Sequence, residues 1–226
     1  MNRQELLNFI SENNNELLLN FYDKTYNKLA DLNKRIDKLT GYLLLVVFLY
    51  LVMSNASFES FQIGPVIISD MTILVKLLPI LFAYLLCDIV VTSGHKSEVF
   101  TTVKFISLAL YKQKLVPKEL ENDRNGLMTR ILLPFSYSME LLKFNRENTG
   151  CLPAFLGVIV SIPLLSLVIL PFYFEYYMLK DLLQNHYSDL FGKISFYLTI
   201  WIALITIYYV ITNAVINVKD QLAETS

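Results

Sequence analysis

The sequence predicts an all-α integral membrane protein. It has four transmembrane helices, a long N-terminal helix continuous with the first span, a small helical cytoplasmic region and a short outer β-hairpin. Two observations carry this prediction. Of the 226 residues, 54% are hydrophobic and only 17% are charged, whereas soluble domains average about 25% charged residues. Residues 39–58, 148–174 and 194–218 carry no charge, and an apolar run of about 18 or more residues can cross the bilayer as a helix.

The four spans divide the chain into short segments. The second span, Met71–Val91, carries Lys76 and Asp88 only towards its ends, where lipid tolerates ionisable groups better than at mid-depth. The predicted order is a cytoplasmic helix (1–40), the first span (41–58), an outer loop (59–70), the second span (71–91), a cytoplasmic helical loop (92–150), the third span (151–174), an outer loop (175–193), the fourth span (194–218) and a cytoplasmic tail (219–226).

Basic residues indicate the orientation of the spans. Sixteen of the 19 lysines and arginines fall in segments 1–40, 92–150 and 219–226, and only two fall in segment 175–193. Loops rich in lysine and arginine remain on the cytoplasmic side. We therefore expect both termini in the cytoplasm.

The N-terminal segment carries a heptad pattern that continues into the first span. Apolar and aromatic residues, with Thr25 at one position, recur at alternating steps of four and three from Leu18 to Met53, and no glycine occurs before Gly41. This spacing predicts one helix from about Asn15 to Ser54, roughly 60 Å long. Its apolar seam needs a partner, which could be a second copy or the chain's own cytoplasmic loop. The seam residues predicted to lie outside the bilayer are Leu18, Tyr22, Leu29, Leu32, Ile36 and Leu39.

The first outer loop and the cytoplasmic loop each carry a local pattern. Gly64-Pro65 separates two short β-prone runs, which predicts an outer hairpin. After an expected helix break at Ser93-Gly94, the cytoplasmic loop shows two amphipathic helices. These could lie on anionic lipid or pack against the seam, and we favour packing because six carboxylates dilute the nine basic charges. The apolar faces are Val99, Val103, Ile106 and Leu110 in the first helix, and Ile131, Phe135, Met139 and Leu142 in the second.

Catalytic signatures are absent from the sequence. The two histidines, His95 and His186, are predicted to lie on opposite sides of the membrane, so no multi-histidine metal site is expected within one chain. No nucleotide-binding glycine loop, nucleophile elbow or metalloprotease motif occurs. We expect neither an enzyme nor a cofactor nor a metal, and the net charge of −1 gives no general attraction to nucleic acid.

Polar residues and a proline within the spans provide the candidate sites. Asp88 and Asn213 are expected at the cytoplasmic ends of the second and fourth spans, where they could line an ion pathway. Pro163 should kink the third span and could serve as a gate. The alternatives without a function in conduction are that Asp88 is a hydrated aspartate at the membrane interface and that the kink at Pro163 only serves packing. Lys76 is expected to extend towards the outer surface, with Glu175 as its partner.

These features favour a non-enzymatic membrane protein that forms oligomers. It would act as a sensor or scaffold for a cytoplasmic protein partner, or as a pore-forming effector. The alternative is a small ion channel or transporter subunit with Asp88 at its cytoplasmic mouth. The four-span layout resembles that of small membrane proteins encoded in prokaryotic operons, including antiviral ones, in architecture alone. That resemblance implies the inner membrane of a prokaryote and a role in defence or stress.

Overall fold

The computed structural model describes residues 3–55, 61–63, 66–68, 71–111 and 169–223. These residues are nearly all helical. The helices are α1 (Arg3–Glu12), α2 (Asn15–Asn55), α3 (Met71–Tyr111), α4 (residues 169–185) and α5 (Leu190–Ala223), and the strands are β1 (Phe61–Ile63) and β2 (Val66–Ile68).

Three of the described helices are long and apolar enough to cross a membrane. They are Asn15–Ser54, Thr72–Ser107 and Leu190–Val215, and each exceeds the roughly 20 residues that a bilayer requires. Most of the predicted third span, 151–174, including Pro163, lies outside the described residues. The count of four spans therefore stays a prediction.

Two asparagines separate α1 from α2. The Asn13 side-chain amide donates to the Phe9 carbonyl at 2.6 Å, and Asn14 Oδ1 accepts a hydrogen bond from the Leu17 backbone N–H at 2.9 Å. The first contact satisfies a carbonyl at the end of α1, and the second is the capping interaction that starts a helix. From that cap α2 continues without interruption to Asn55, which is the interval that the heptad pattern indicated.

The expected break at Ser93-Gly94 does not occur. Helix α3 runs from Met71 to Tyr111 through both residues, so the second span and the first amphipathic helix of the cytoplasmic loop are one element. A glycine inside a helix costs only about 1 kcal/mol relative to alanine. Burial of Val99, Val103 and Ile106 beyond it offsets that cost, because tertiary packing supplies most helical stability in proteins.

The boundary between the third span and the second outer loop also differs from expectation. Glu175 lies inside the continuous helix α4, and α5 begins at Leu190 rather than Ile194. A tight turn over residues 186–189 joins the two helices. Gly192 is required there, because a Cβ at this position would lie 1.7 Å from the His186 carbonyl oxygen.

Strands β1 and β2 pair antiparallel. Phe61 lies opposite Ile68, Gln62 opposite Ile67 and Ile63 opposite Val66. Residues 64–65 lie outside the described part of the chain, so the Gly-Pro turn of the predicted hairpin remains a prediction.

The described residues fall into two compact units. Unit 1 contains described residues 3–35, 92–111 and 220–223, and unit 2 contains 36–55, 61–63, 66–68, 71–91 and 169–219. Each has its own apolar core. Unit 1 has one cluster around Leu6, Ile10, Leu18 and Ile106 and another around Leu29, Val99 and Val103, whereas the core of unit 2 includes Leu43, Val46, Tyr50, Leu78, Phe82, Leu86 and Met178.

Candidate functional site

The seam of α2 packs within its own chain. Leu18 joins Ile106 of α3 and Leu6 and Ile10 of α1 in one cluster, with Tyr22 against it. In the next cluster Leu29 is 1% exposed.

That second cluster continues the seam along α2. Leu29 is buried together with Val99 and Val103 of α3, and Leu32 packs against it. Two partners were considered for the seam, a second copy and the chain's own loop. In unit 1 the described contacts show that the chain's own helix α3 covers the seam. Of the remaining seam residues, Leu39 belongs to the core of unit 2 and Ile36 is half-buried.

A network of hydrogen bonds crosses the core of unit 2 around Asp181 of α4. Tyr50 of α2, which is fully buried, donates its hydroxyl to Asp181 Oδ2 at 2.5 Å. Asn185 donates its side-chain amide to Asp181 Oδ1 at 2.6 Å. Hydrogen bonds to a charged acceptor are among the stronger ones in proteins. The network thus ties α2 to α4 at a fixed register.

Lys76 pairs with Asp189 and not with the expected Glu175. Lys76 Nζ lies 3.0 Å from Asp189 Oδ2, and Asp189 precedes the first residue of α5. The hydrogen bond from Lys76 holds the pKa of the Asp189 carboxyl below its usual range, and the backbone N–H of Gly192 contributes in the same direction. Asp189 is therefore both the N-cap of α5 and the partner of Lys76.

Glu175 lies on the buried face of α4. It is 5% exposed, and among the described residues its buried Oε1 has no hydrogen-bond partner. Met178 and Leu182, three and seven residues further on, are fully buried on the same helical face. The Lys76–Glu175 pair expected from the sequence is thus not formed. Lys76 pairs with Asp189, and the carboxyl group of Glu175 lies in an apolar core.

Pro79 and Ser195 form a site that sequence reasoning missed. Pro79 lies buried inside α3, and because proline has no N–H, the turn before it loses a helical hydrogen bond. The carbonyl that loses its N–H partner is that of Val75, four residues before Pro79. The neighbouring Lys76 carbonyl accepts a hydrogen bond from the buried Ser195 hydroxyl of α5, which joins α3 to α5 in the same turn. The signal in the sequence was a proline inside an apolar run.

Two of the three candidate ion-pathway residues lie in the part of the chain that the structure describes. Asp88 is half-buried in α3 and takes part in an interaction, and Asn213 is half-buried in α5. Pro163 lies outside the described residues. Within the described part of the chain, no group of three or more metal-ligating side chains comes together.

Comparison of the chain with family models, curated proteins and solved structures finds no match.

Proposed function

We propose that the protein is a non-enzymatic membrane scaffold or sensor that presents unit 1 to a protein partner in the cytoplasm. Its termini lie in the cytoplasm, following the distribution of lysine and arginine, and its membrane is the inner membrane of a prokaryote, where it serves in defence or stress. The observation that carries the proposal is the packing of α1 and the first half of α2 on the end of α3 through two apolar clusters. That packing gives the chain a small helical body with its own core.

The surface of α2 in unit 1 supports a partner that binds through polar contacts. Leu18 and Leu29 are buried against the chain itself, and Leu17 and Leu19 are the exposed leucines of this part of α2. The exposed positions are mostly charged or amide side chains, namely Asp23, Lys24, Asn27, Lys28, Asp31, Lys34 and Arg35. A partner would therefore contact this mixed charged face, since the seam is already covered.

Self-association is part of the same proposal. Helix α5 exposes large apolar side chains over much of its circumference, among them Trp201 and Tyr208. In a bilayer such a surface contacts lipid or a second copy. The mass of the detergent-solubilised protein, measured by light scattering, tests this part, and a monomeric mass contradicts it.

Site-specific crosslinking in cells tests the scaffold function. A photoreactive amino acid replaces exposed Lys28 in unit 1 and, as the control, exposed Leu45 in the apolar half of the same helix. We expect a discrete adduct with another protein at position 28 and none with that protein at position 45. A result with no adduct at position 28, nor at the exposed positions 24 and 31, contradicts the proposal.

Ion conduction is the second candidate function. It is favoured by one observation, the half-buried carboxylate of Asp88 in a helix that is otherwise apolar enough to cross a membrane. Ionisable groups in such helices commonly face a bundle interior or water. Purified protein in liposomes should then pass ions, and the flux should fall when Asp88→Asn is introduced. Absence of flux with the unmodified protein rejects this candidate and leaves the scaffold proposal standing.

A further inference from the structure

A small cavity opens beside Asp181 in unit 2. Its volume is about 240 Å³, which corresponds to about eight water molecules at ≈ 30 Å³ each. Met53 and Val75 form an apolar part of its wall. This volume is below the range of about 300–1,000 Å³ that drug-sized ligands occupy, so the cavity could hold only a molecule of a few non-hydrogen atoms.

The lining of the cavity carries one carboxylate, that of Asp181, and one imidazole, that of His186, whereas no lysine or arginine lines it. With histidine counted as neutral, the formal charge of the lining is negative. Among the described residues Asp181 forms no salt bridge, since its hydrogen-bond donors are the neutral side chains of Tyr50 and Asn185. A partly buried carboxylate without a cationic partner attracts a cation from solution.

Oxygen acceptors predominate among the other lining groups. Each oxygen of a carboxylate has two acceptor positions, and each oxygen of Asp181 is shown accepting one hydrogen bond. Asn185 uses its amide N–H on Asp181, which leaves its own carbonyl oxygen as an acceptor, and the hydroxyls of Ser54 and Thr72 also line the cavity. This arrangement matches a ligand that carries several N–H donors and one positive charge.

We propose that the cavity lined by Asp181, Asn185, Ser54 and Thr72 binds the ammonium group of a small molecule. The apolar wall at Met53 and Val75 accommodates the carbon attached to the ammonium nitrogen. A bare alkali cation would gain nothing from that wall. The ammonium group comes either from a free amine or from the headgroup of an ethanolamine phospholipid, and the site does not depend on the scaffold function.

Ethanolamine is the probe for this site. The full-length protein is placed in nanodiscs of phosphatidylcholine and phosphatidylglycerol, and its Tm is followed during titration with ethanolamine hydrochloride or an equal concentration of KCl. We expect a saturable rise in Tm with ethanolamine and none with KCl. An equal rise with KCl overturns the assignment of an ammonium ligand, and no rise with either salt overturns the site.

Two variants and one control locate the binding. Asp181→Asn removes the charge, and Asn185→Leu, at an exposed position, removes one acceptor without emptying the core. We expect loss of the ethanolamine response in the first variant and at least several-fold weaker binding in the second. Asp189→Asn, which removes a carboxylate that does not line the cavity, should keep the response. If Asp181→Asn fails to fold, the test depends on Asn185→Leu alone. An unchanged rise in Tm with ethanolamine in the Asn185→Leu variant overturns the proposal.

A second set of nanodiscs distinguishes the two sources of the ammonium group. Phosphatidylethanolamine replaces part of the phosphatidylcholine, with no free amine added. A raised starting Tm and a weakened response to free ethanolamine identify the lipid headgroup as the ligand. An unchanged titration identifies a free amine.

Discussion

The two units differ in the arrangement of polar and apolar side chains on their surfaces. Their cores are alike, because both bury aliphatic side chains, such as Leu29 in unit 1 and Leu78 in unit 2, and both bury hydroxyls, such as Ser107 and Ser195. Unit 1 exposes the charged face of α2, whereas unit 2 exposes large apolar side chains such as Trp201. Large exposed apolar surfaces are typical of sites that contact a membrane or another protein.

One helix contains both arrangements, which makes the comparison direct. Leu19 and Leu45 of α2 are 50% and 52% exposed, so their exposure alone does not distinguish them. Their neighbours do, because the positions three and four residues from Leu19 include Asn15, Glu16 and Asp23, whereas Leu45 lies in a run without charge. The same exposed side chain thus borders charged residues in unit 1 and belongs to an uncharged apolar surface in unit 2.

The largest expected effect is that of Gly192→Ala. The added Cβ would lie 1.7 Å from the His186 carbonyl oxygen and 2.9 Å from Asp189 Oδ1, so the turn between α4 and α5 cannot keep its backbone. We expect unit 2 to lose its packing, as measured by loss of hydrogen-exchange protection in α4 and α5 in nanodiscs. Gly41→Ala is the control, since a Cβ there meets nothing within 4 Å and alanine favours the helix by about 1 kcal/mol. Equal protection in the two variants would contradict the geometry of this turn.

Truncation in the core of unit 1 should have the next largest effect. Leu29→Ala removes a fully buried side chain that contacts Val99 and Val103, and such changes cost about 2–5 kcal/mol. The free energy of opening, from hydrogen exchange of α2 amides near residue 29, should fall by that amount. Leu17→Ala, at an exposed position, should change it by less than about 0.5 kcal/mol. Wild-type protection in Leu29→Ala would mean that α3 does not cover the seam.

Arginine substitutions at Leu19 and Leu45 test whether the two halves of α2 lie in different solvents, water and hydrocarbon. Leu45→Arg should cost about 2.5–3.5 kcal/mol of insertion free energy if this half of α2 lies in hydrocarbon, whereas Leu19→Arg should change stability by less than about 0.5 kcal/mol. Glycosylation tags on each variant, translated with microsomes, report its inserted fraction. Similar insertion of both variants would remove the distinction between the two halves of the helix.

Much of the helical framework could be predicted from the sequence because it depends on local patterns. The heptad spacing from Leu18 onward indicated the interval of α2, and runs without charge indicated helices long enough to span a membrane. The error at Ser93-Gly94 has a physical cause. A weak local preference against helix was overridden by packing of Val99 and Val103, which residue spacing alone does not reveal.

The polar contacts of unit 2 could not be predicted in the same way. Tyr50 and Asp181 are separated by 131 positions, and Lys76 and Asp189 by 113. Glu175 and Asp189 were both acidic residues of one predicted loop, and the choice between them depends on the turn at residues 186–189 and on which face of α4 is buried. Those properties arise only when the helices are packed together.

The smallest expected effect concerns the pH dependence of the Lys76–Asp189 pair. The pKa of Asp189 is lowered in the folded protein, so its stabilising contribution is present above the unfolded pKa of about 3.9 and is lost as the pH falls through the folded value. The Tm of the wild type should therefore decline more steeply below about pH 4 than that of Asp189→Asn, which lacks the titrating group and starts from a lower Tm at pH 7. Asp23→Asn, at an exposed position of unit 1, should retain the steep acid decline. If Asp189→Asn also retained it, the acid sensitivity would have to come from a carboxyl group other than Asp189.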